Sequence, residues 1–149
     1  HATLEAFTEK VKSESNFSAA AEKLSSINKR MSRDFTRSYK DAQEIKISSN
    51  GEEKITFISC FIDGIRNRIA YDKKGNWHST LRFYDEDAMP KDVRHLVKSN
   101  YYDYAINGVT EVKFNNKLAY VISLEGKTDW KKVKVVDGEM EVMEAFKKL

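Results

Sequence analysis

Lys54-Ile55-Thr56-Phe57-Ile58-Ser59-Cys60-Phe61-Ile62-Asp63-Gly64 is the stretch whose reading decides the fold. It is rich in β-branched and aromatic residues and alternates with period two. Ile55, Phe57 and Phe61 fall on one face, and Ile58, Cys60 and Ile62 on the other. Both faces are apolar, which predicts an interior strand over 54–62. Asp63-Gly64 supplies a tight turn. Residues 66–72 make the returning strand, Lys73-Lys74-Gly75-Asn76 the next turn, and 77–84 the strand after it. On that strand Trp77, Ser79, Leu81 and Phe83 oppose His78, Thr80, Arg82 and Tyr84.

Upstream the period changes to that of a helix. Leu4, Phe7 and Val11 form one stripe, predicting a short first helix over 3–12. Ser13-Glu14-Ser15-Asn16 reads as a break. Ser18 then caps a second helix to about Tyr39, with Leu24, Ile27, Met31 and Phe35 as its apolar stripe. The opposite face carries Lys23, Lys29, Arg30, Arg33 and Arg37, a solvated basic face. A short strand is expected at 44–47, followed by a turn at Ser48-Ser49-Asn50-Gly51.

Downstream the order recurs. Pro90 fits a helix start, and Val93, Leu96 and Val97 make the stripe of a helix to about residue 101. Strands follow near 108–114, 117–124, 130–136 and 139–143, with 144–149 as a polar tail. At an offset of 63 residues, Tyr39 falls on Tyr102, Phe57 on Tyr120 and Gly75 on Gly138. The order of elements, more than these matches, predicts an α+β protein. It is expected to be a tandem repeat of a helical segment plus antiparallel strands, with helices packed on one face of the sheet. Residues 1–24 would be an N-terminal helical extension, 25–88 the first repeat and 89–149 the second, in one compact domain.

The composition fits this reading. The chain has 149 residues, 40% of them hydrophobic and 33% charged, with one Pro and one Cys. That is enough for a real core, and it excludes collagen-like and wholly disordered chains. No apolar run approaches the length of a membrane span. Lys and Arg total 26 against 23 Asp and Glu, a net charge of +3. Arg66, Arg68 and Arg82 interleave with Tyr71, Trp77 and Tyr84, as on surfaces that stack bases. The near balance of charge instead favours cross-strand ion pairs, so no nucleic-acid partner is expected. Cys60 cannot form an intrachain disulfide and reads as a small buried hydrophobe.

The sequence shows no catalytic motif. G-x-S-x-G, G-x-x-x-x-G-K-[ST] and G-x-G-x-x-G are all absent. His1, His78 and His95 are scattered and lack metal-ligand spacing. Asp85-Glu86-Asp87 lacks the glycine-containing loop of a calcium site and reads as negative charge ahead of a helix. No metal or cofactor is expected, and a hydrolase using Asp85, Glu86 or His78 is the weakest of three functional readings.

Several of these residues carry a family resemblance. They are Phe35 with Tyr39-Lys40-Asp41-Ala42, Tyr71-Asp72-Lys73-Lys74-Gly75-Asn76-Trp77, and Met89-Pro90-Lys91-Asp92-Val93 leading to Tyr101-Tyr102. Tyr120-Val121-Ile122-Ser123-Leu124 and Asp137-Gly138-Glu139-Met140 complete the set. Over roughly 25–146 the chain resembles the PepSY-like family of secreted bacterial proteins, common in Bacteroidetes and beta-lactamase-inhibitor-like in fold. The resemblance implies export to the periplasm or beyond, behind a leader since removed, in keeping with a chain that starts at His1. It carries over no functional residue. The inhibitor itself relies on disulfides, which a lone Cys60 cannot form.

Aromatics and arginine are the residue types enriched at binding hot spots. The leading expectation is therefore a non-enzymatic binding module for a protein or peptide of the cell envelope. Trp77, Phe83, Tyr84, Tyr120, Trp130, Arg66 and Arg82 are the candidate contact residues on sheet face and hairpins. The alternative is a carrier that holds a small apolar or cell-wall-derived ligand between sheet and helices. The oligomeric state stays open at this point.

Overall fold

The computed structural model describes residues 3–149. It is an α+β protein with three α-helices and eight strands, and the strands are hydrogen-bonded neighbours in chain order, β1 to β8. The chain falls into two compact units, His1–Thr80 and Leu81–Leu149, with the division inside β4.

In the first unit α1 spans Leu4–Ile27 without interruption. The Thr3 side chain caps it by accepting the Ala6 N–H at 3.1 Å. The expected break at residues 13–16 is not there, and Ser18 lies in mid-helix. The break falls instead at Asn28, which has extended backbone (φ −161°, ψ 122°). Its N–H closes α1 on the Leu24 carbonyl, and its Oδ1 accepts the Met31 N–H at 3.1 Å to start α2, Lys29–Ser38. A short amide side chain that competes with helical hydrogen bonds is what a helix end needs. The polar run at 13–16 lies along one continuous helix, and Asn16 serves a strand: its Oδ1 accepts the Ile45 N–H at 2.8 Å.

Strands β1 (Gln43–Asn50), β2 (Ile55–Ile62) and β3 (Ile65–Tyr71) form an antiparallel meander. β1 runs three residues further than expected, because Ser48, Ser49 and Asn50 pair with Phe57, Thr56 and Ile55. Ala20 and Leu24 of α1 and Met31 and Phe35 of α2 pack with Ile45, Ile58, Cys60, Ile69 and Tyr71 into one core. Phe35 is sandwiched between rings, with centroids of Phe17 at 6.1 Å and Tyr39 at 5.6 Å. Cys60 is buried in this core as a free thiol, and burial pushes its pKa up to about 11. It is therefore no nucleophile at neutral pH.

In the second unit a 3₁₀ turn (Glu86–Ala88) precedes α3, Lys91–Asn100, with Pro90 at the N-cap. β5 (Ala105–Phe114), β6 (Lys117–Glu125), β7 (Asp129–Val136) and β8 (Glu139–Lys147) form the second meander. Met89, Val93 and Val97 pack with Val109, Ile122, Leu124, Val133 and Val135. The expected polar tail is largely strand: β8 reaches Lys147, with Glu144 opposite Lys132 and Phe146 opposite Trp130. Three hairpins turn on two left-handed residues each, Asp63-Gly64, Asn115-Asn116 and Asp137-Gly138, the backbone that matches strand twist.

Candidate functional site

The seven sequence-derived candidates sort by what each side chain touches. Arg82 and Tyr84, on β4 (Trp77–Tyr84), converge on Glu111 of β5. The Arg82 guanidinium lies 2.8 Å from Glu111 Oε2, and the Tyr84 hydroxyl donates to Oε1 at 3.2 Å. Glu111 is buried, so this carboxylate depends on those donors for what water would otherwise supply. Burial and then the Glu111 charge push the Tyr84 phenol well above its ordinary range. Tyr120 is half-buried against the same core, and burial raises its pKa too, with Glu111 adding to the effect. All three thus make contacts within the fold.

Trp77 is also committed inward. Its Nε1–H donates to Thr80 Oγ1 at 2.9 Å, and its ring packs against the core of the first unit. Thr80 Oγ1 and the Tyr39 hydroxyl are 2.8 Å apart. Phe83 is half-buried on β4, and Arg66 is exposed on β3 opposite Phe61. Also on β3, Arg68 lies 4.3 Å from the Phe57 ring centroid.

Trp130 is the outward-facing aromatic of the seven, 41% exposed on β7. It stands opposite Phe146 of β8, itself 60% exposed. The Lys148 ammonium sits 4.7 Å from the Trp130 ring centroid and 2.7 Å from Glu125 Oε2. Period two places Lys132 and Lys134 on the same face as Trp130, opposed to the buried Val133 and Val135. Lys134 pairs with Glu141 at 2.8 Å and Lys132 with Glu144 at 3.8 Å. The face of β7 and β8 away from the core thus carries two aromatics flanked by neutralised charge. Sequence reasoning missed Phe146 because charged residues surround it. The signal was the alternation that starts at Glu139-Met140-Glu141-Val142 and carries on past a one-residue slip.

Two concavities lie in the second unit. One, of about 350 Å³, is lined by Asp92, Val93, Leu96, Leu118, Tyr120 and Val135, with Asp137 and Gly138 at its rim. The other is a groove of about 1170 Å³ whose lining includes Asp85, Glu86, Asp87, Arg94, His95 and Lys98. Three of its charged residues, Glu86, Arg94 and Lys98, are engaged internally. Arg94 holds Glu86 at 2.8 Å, and Lys98 donates to the Tyr104 carbonyl at 2.6 Å.

Among the described residues, no arrangement of nucleophile, base and orienting group emerges. His78 Nδ1 and Ser79 Oγ are 3.0 Å apart, but both are solvent-exposed neighbours on one strand with no third group to orient the ring. Ser99 Oγ donates to the His95 carbonyl at 2.6 Å, and His95 Nε2 lies 3.5 Å from the same oxygen on the exposed side of α3. Among the described residues, no three of His, Cys, Asp and Glu are grouped to hold a metal ion. His1 lies outside the described residues. Among the described residues, no helix is long and apolar enough to cross a membrane.

No family model matches the chain, and no curated protein matches it. Solved structures do. A BLIP-like protein from Bacteroides fragilis superposes with a TM-score of 0.62 at 18% identity, over 80% of this chain and 85% of that one. A DUF2874 family protein from Bacteroides uniformis gives a TM-score of 0.62 at 14% identity, over 79% and 87%. A candidate periplasmic protein from Bacteroides eggerthii gives 0.61 at 15% identity, over 79% and 86%. The chain therefore has a BLIP-like fold, and none of these neighbours carries an enzymatic name.

Proposed function

We propose that this chain is a non-enzymatic, PepSY-like binding module of the periplasm or cell exterior, and that it recognises a protein or peptide of the cell envelope. The reading takes residues 25–88 and 89–149 as tandem αβ repeats whose helices pack on one face of the sheet, with 1–24 as an extension. One observation carries it: the cross-strand pair of exposed aromatics Trp130 and Phe146, beside the Lys132–Glu144 and Lys134–Glu141 ion pairs. Exposed aromatic area next to compensated charge costs little desolvation to bury, which is how hot spots work. The likeness to BLIP-like and periplasmic proteins supports the fold and the compartment.

The test is capture from an envelope extract by the intact chain, by Trp130→Ala with Phe146→Ala, and by Lys12→Ala on helix α1 of the other unit. A specific partner should be retained by the wild type and Lys12→Ala and lost by the aromatic double variant with its circular dichroism unchanged. A partner held equally by all three would sink the assignment of this face.

The second reading, a carrier of a small apolar or cell-wall-derived ligand, draws support from the cavity of about 350 Å³ beside α3. That volume is at the lower end of ligand sites. Native mass spectrometry of the chain taken from envelope should then show a bound small molecule that Leu96→Trp excludes.

A further inference from the structure

Three parts of the second unit line the cavity of about 350 Å³. α3 supplies Val93 and Leu96 from its apolar stripe, one turn apart. β6 supplies Leu118 and Tyr120, alternate residues on the side of the strand that also carries the buried Ile122 and Leu124. The β7–β8 turn supplies Asp137 and Gly138. Val93 is buried and Leu118 is 40% exposed, so the apolar wall runs from the core out to solvent.

The charge at this cavity is of one sign. Asp92 and Asp137 line it, and no Lys, Arg or His does. Among the described residues, neither aspartate is in an ion pair. Asp92 stands in the first turn of α3, where it offsets the positive end of the helix. Its charge is felt inside: after burial and Glu111, it adds to the rise in the Tyr120 pKa. The larger groove differs, because Arg94 and Lys98 line it beside its acids. In the smaller cavity an anion would meet two carboxylates and no cation. A neutral apolar molecule would leave both carboxylates uncompensated. An ammonium on an apolar body matches wall and rim together.

We propose that this cavity takes a small molecule with an apolar body and a protonated amine, the body against Leu96, Leu118 and Tyr120 and the ammonium at the Asp92 and Asp137 rim. The proposal rests on the carrier reading of the same cavity. Its test is an NMR titration of the full chain with phenylbutylamine, phenylbutanol and phenylbutyrate, which share a body and differ in charge. The amine should shift the Leu96, Tyr120 and Gly138 amides and bind more tightly than the alcohol, with the carboxylate weakest. Asp92→Asn and Asp137→Asn should each weaken the amine about threefold, the scale of an exposed ion pair, and leave the alcohol unchanged. Both positions are exposed, and Asn-Gly suits the same turn as Asp-Gly, so both variants should keep the wild-type spectrum elsewhere. Alcohol binding as tight as that of the amine overturns the amine preference and leaves the carrier reading standing. Failure of all three probes to shift these amides overturns both. Tighter binding of a blocked lysine peptide than of the amine makes the occupant a partner's side chain and overturns the small-molecule assignment.

Discussion

The two units run through the same elements, a helix and then strands, and they join helix to sheet in nearly the same way. α2 ends at Tyr39 with φ −127° and ψ 50°, and α3 ends at Tyr101 with φ −131° and ψ 53°. Each tyrosine N–H bonds four residues back, to Phe35 or Val97. Each carbonyl accepts from three residues on, Ala42 or Tyr104, at 3.1 Å in both. What differs is the load on this frame. The first unit buries Leu24, Met31 and Phe35 from two helices. The second buries only Val93 and Val97 from its single α3, and its strands supply most of the core. A helix end is fixed by backbone hydrogen bonds and so tolerates changed side chains. Packing has no such constraint beyond filling the volume.

The sharpest way to test that contrast is at the paired helix positions. Phe35 and Val97 are both fully buried, and the carbonyl of each accepts the N–H of the capping tyrosine. Phe35→Ala should cost about 3–5 kcal/mol. Val97→Ala removes two methyl groups and should cost roughly 2 kcal/mol. Urea denaturation followed by circular dichroism measures both. Equal losses would mean that the two helices bear equal weight and that the contrast is false.

The hairpin glycines give the next largest effect. Gly75 has φ +83°, and a Cβ there would lie 2.1 Å from Asn28 Oδ1, the atom that caps α2. Gly138 has φ +76°, with nothing within 4 Å of its Cβ position. Gly138→Ala should cost only the left-handed strain, about 1–2 kcal/mol. Gly75→Ala adds a displaced N-cap and should cost about 2–4 kcal/mol. Thermal unfolding of the two variants side by side decides whether the first unit's hairpin is keyed to its helix start.

That pair also shows what the sequence could and could not disclose. Gly75 and Gly138 are visible as turn residues, and the period-two runs around Ile58 and Ile122 mark strands on local grounds alone. Asn28 as a helix end was not legible, because its value depends on capping α2 and meeting Gly75, 47 residues away, in three dimensions. The site suffered from the same limit. Composition selects Trp77, Tyr84 and Arg82 as well as it selects Trp130. Only Thr80, three residues along β4, and Glu111, on β5, draw the first three inward. Phe146 was hidden by its charged neighbours, which are cross-strand partners of Lys132 and Lys134 rather than the mark of a tail.

Polar ties separate the units on a smaller scale. The first unit satisfies its fully buried Tyr71 with one carboxylate, Asp34. The second uses one carboxylate, Glu111, for both an arginine and a tyrosine. Arg82→Ala leaves Glu111 largely buried with the Tyr84 hydroxyl as its remaining donor. Because the Arg82 side chain is 38% exposed, the loss is screened and should be about 1–2 kcal/mol. A Glu111→Gln change in the Arg82→Ala background should then cost little more, since the two share one interaction. Full additivity would show that the pair is not a unit.

The smallest change at neutral pH should come from removing a phenol oxygen, yet it has the clearest pH signature. Tyr71→Phe and Tyr84→Phe should each cost about 0.5–1.5 kcal/mol near pH 7. In the wild type, burial and then the hydrogen bond to Asp34 raise the Tyr71 pKa, while burial and Glu111 raise that of Tyr84, both from an ordinary 10.0. Tyr104 is pushed up to about 12 by its hydrogen bond to Asp129. A raised folded-state pKa means that the folded chain holds the proton longer than the unfolded chain. That stabilisation is complete below pH 10 and is lost as pH climbs toward the folded values. Each Phe variant should therefore show a flatter alkaline limb than the wild type. On the acid side the direction reverses. Backbone N–H donors lower the Asp72 pKa, and Asn107 and Lys148 lower that of Glu125, so both contribute above their ordinary carboxylate range and fade as pH falls below it. Both carboxylates are only half-buried, so the acid limb should be shallow in either unit. If Tyr71→Phe flattens the alkaline limb and Tyr84→Phe does not, the Arg82 charge beside Tyr84 already offsets Glu111, and the two units differ in electrostatics as well as in packing.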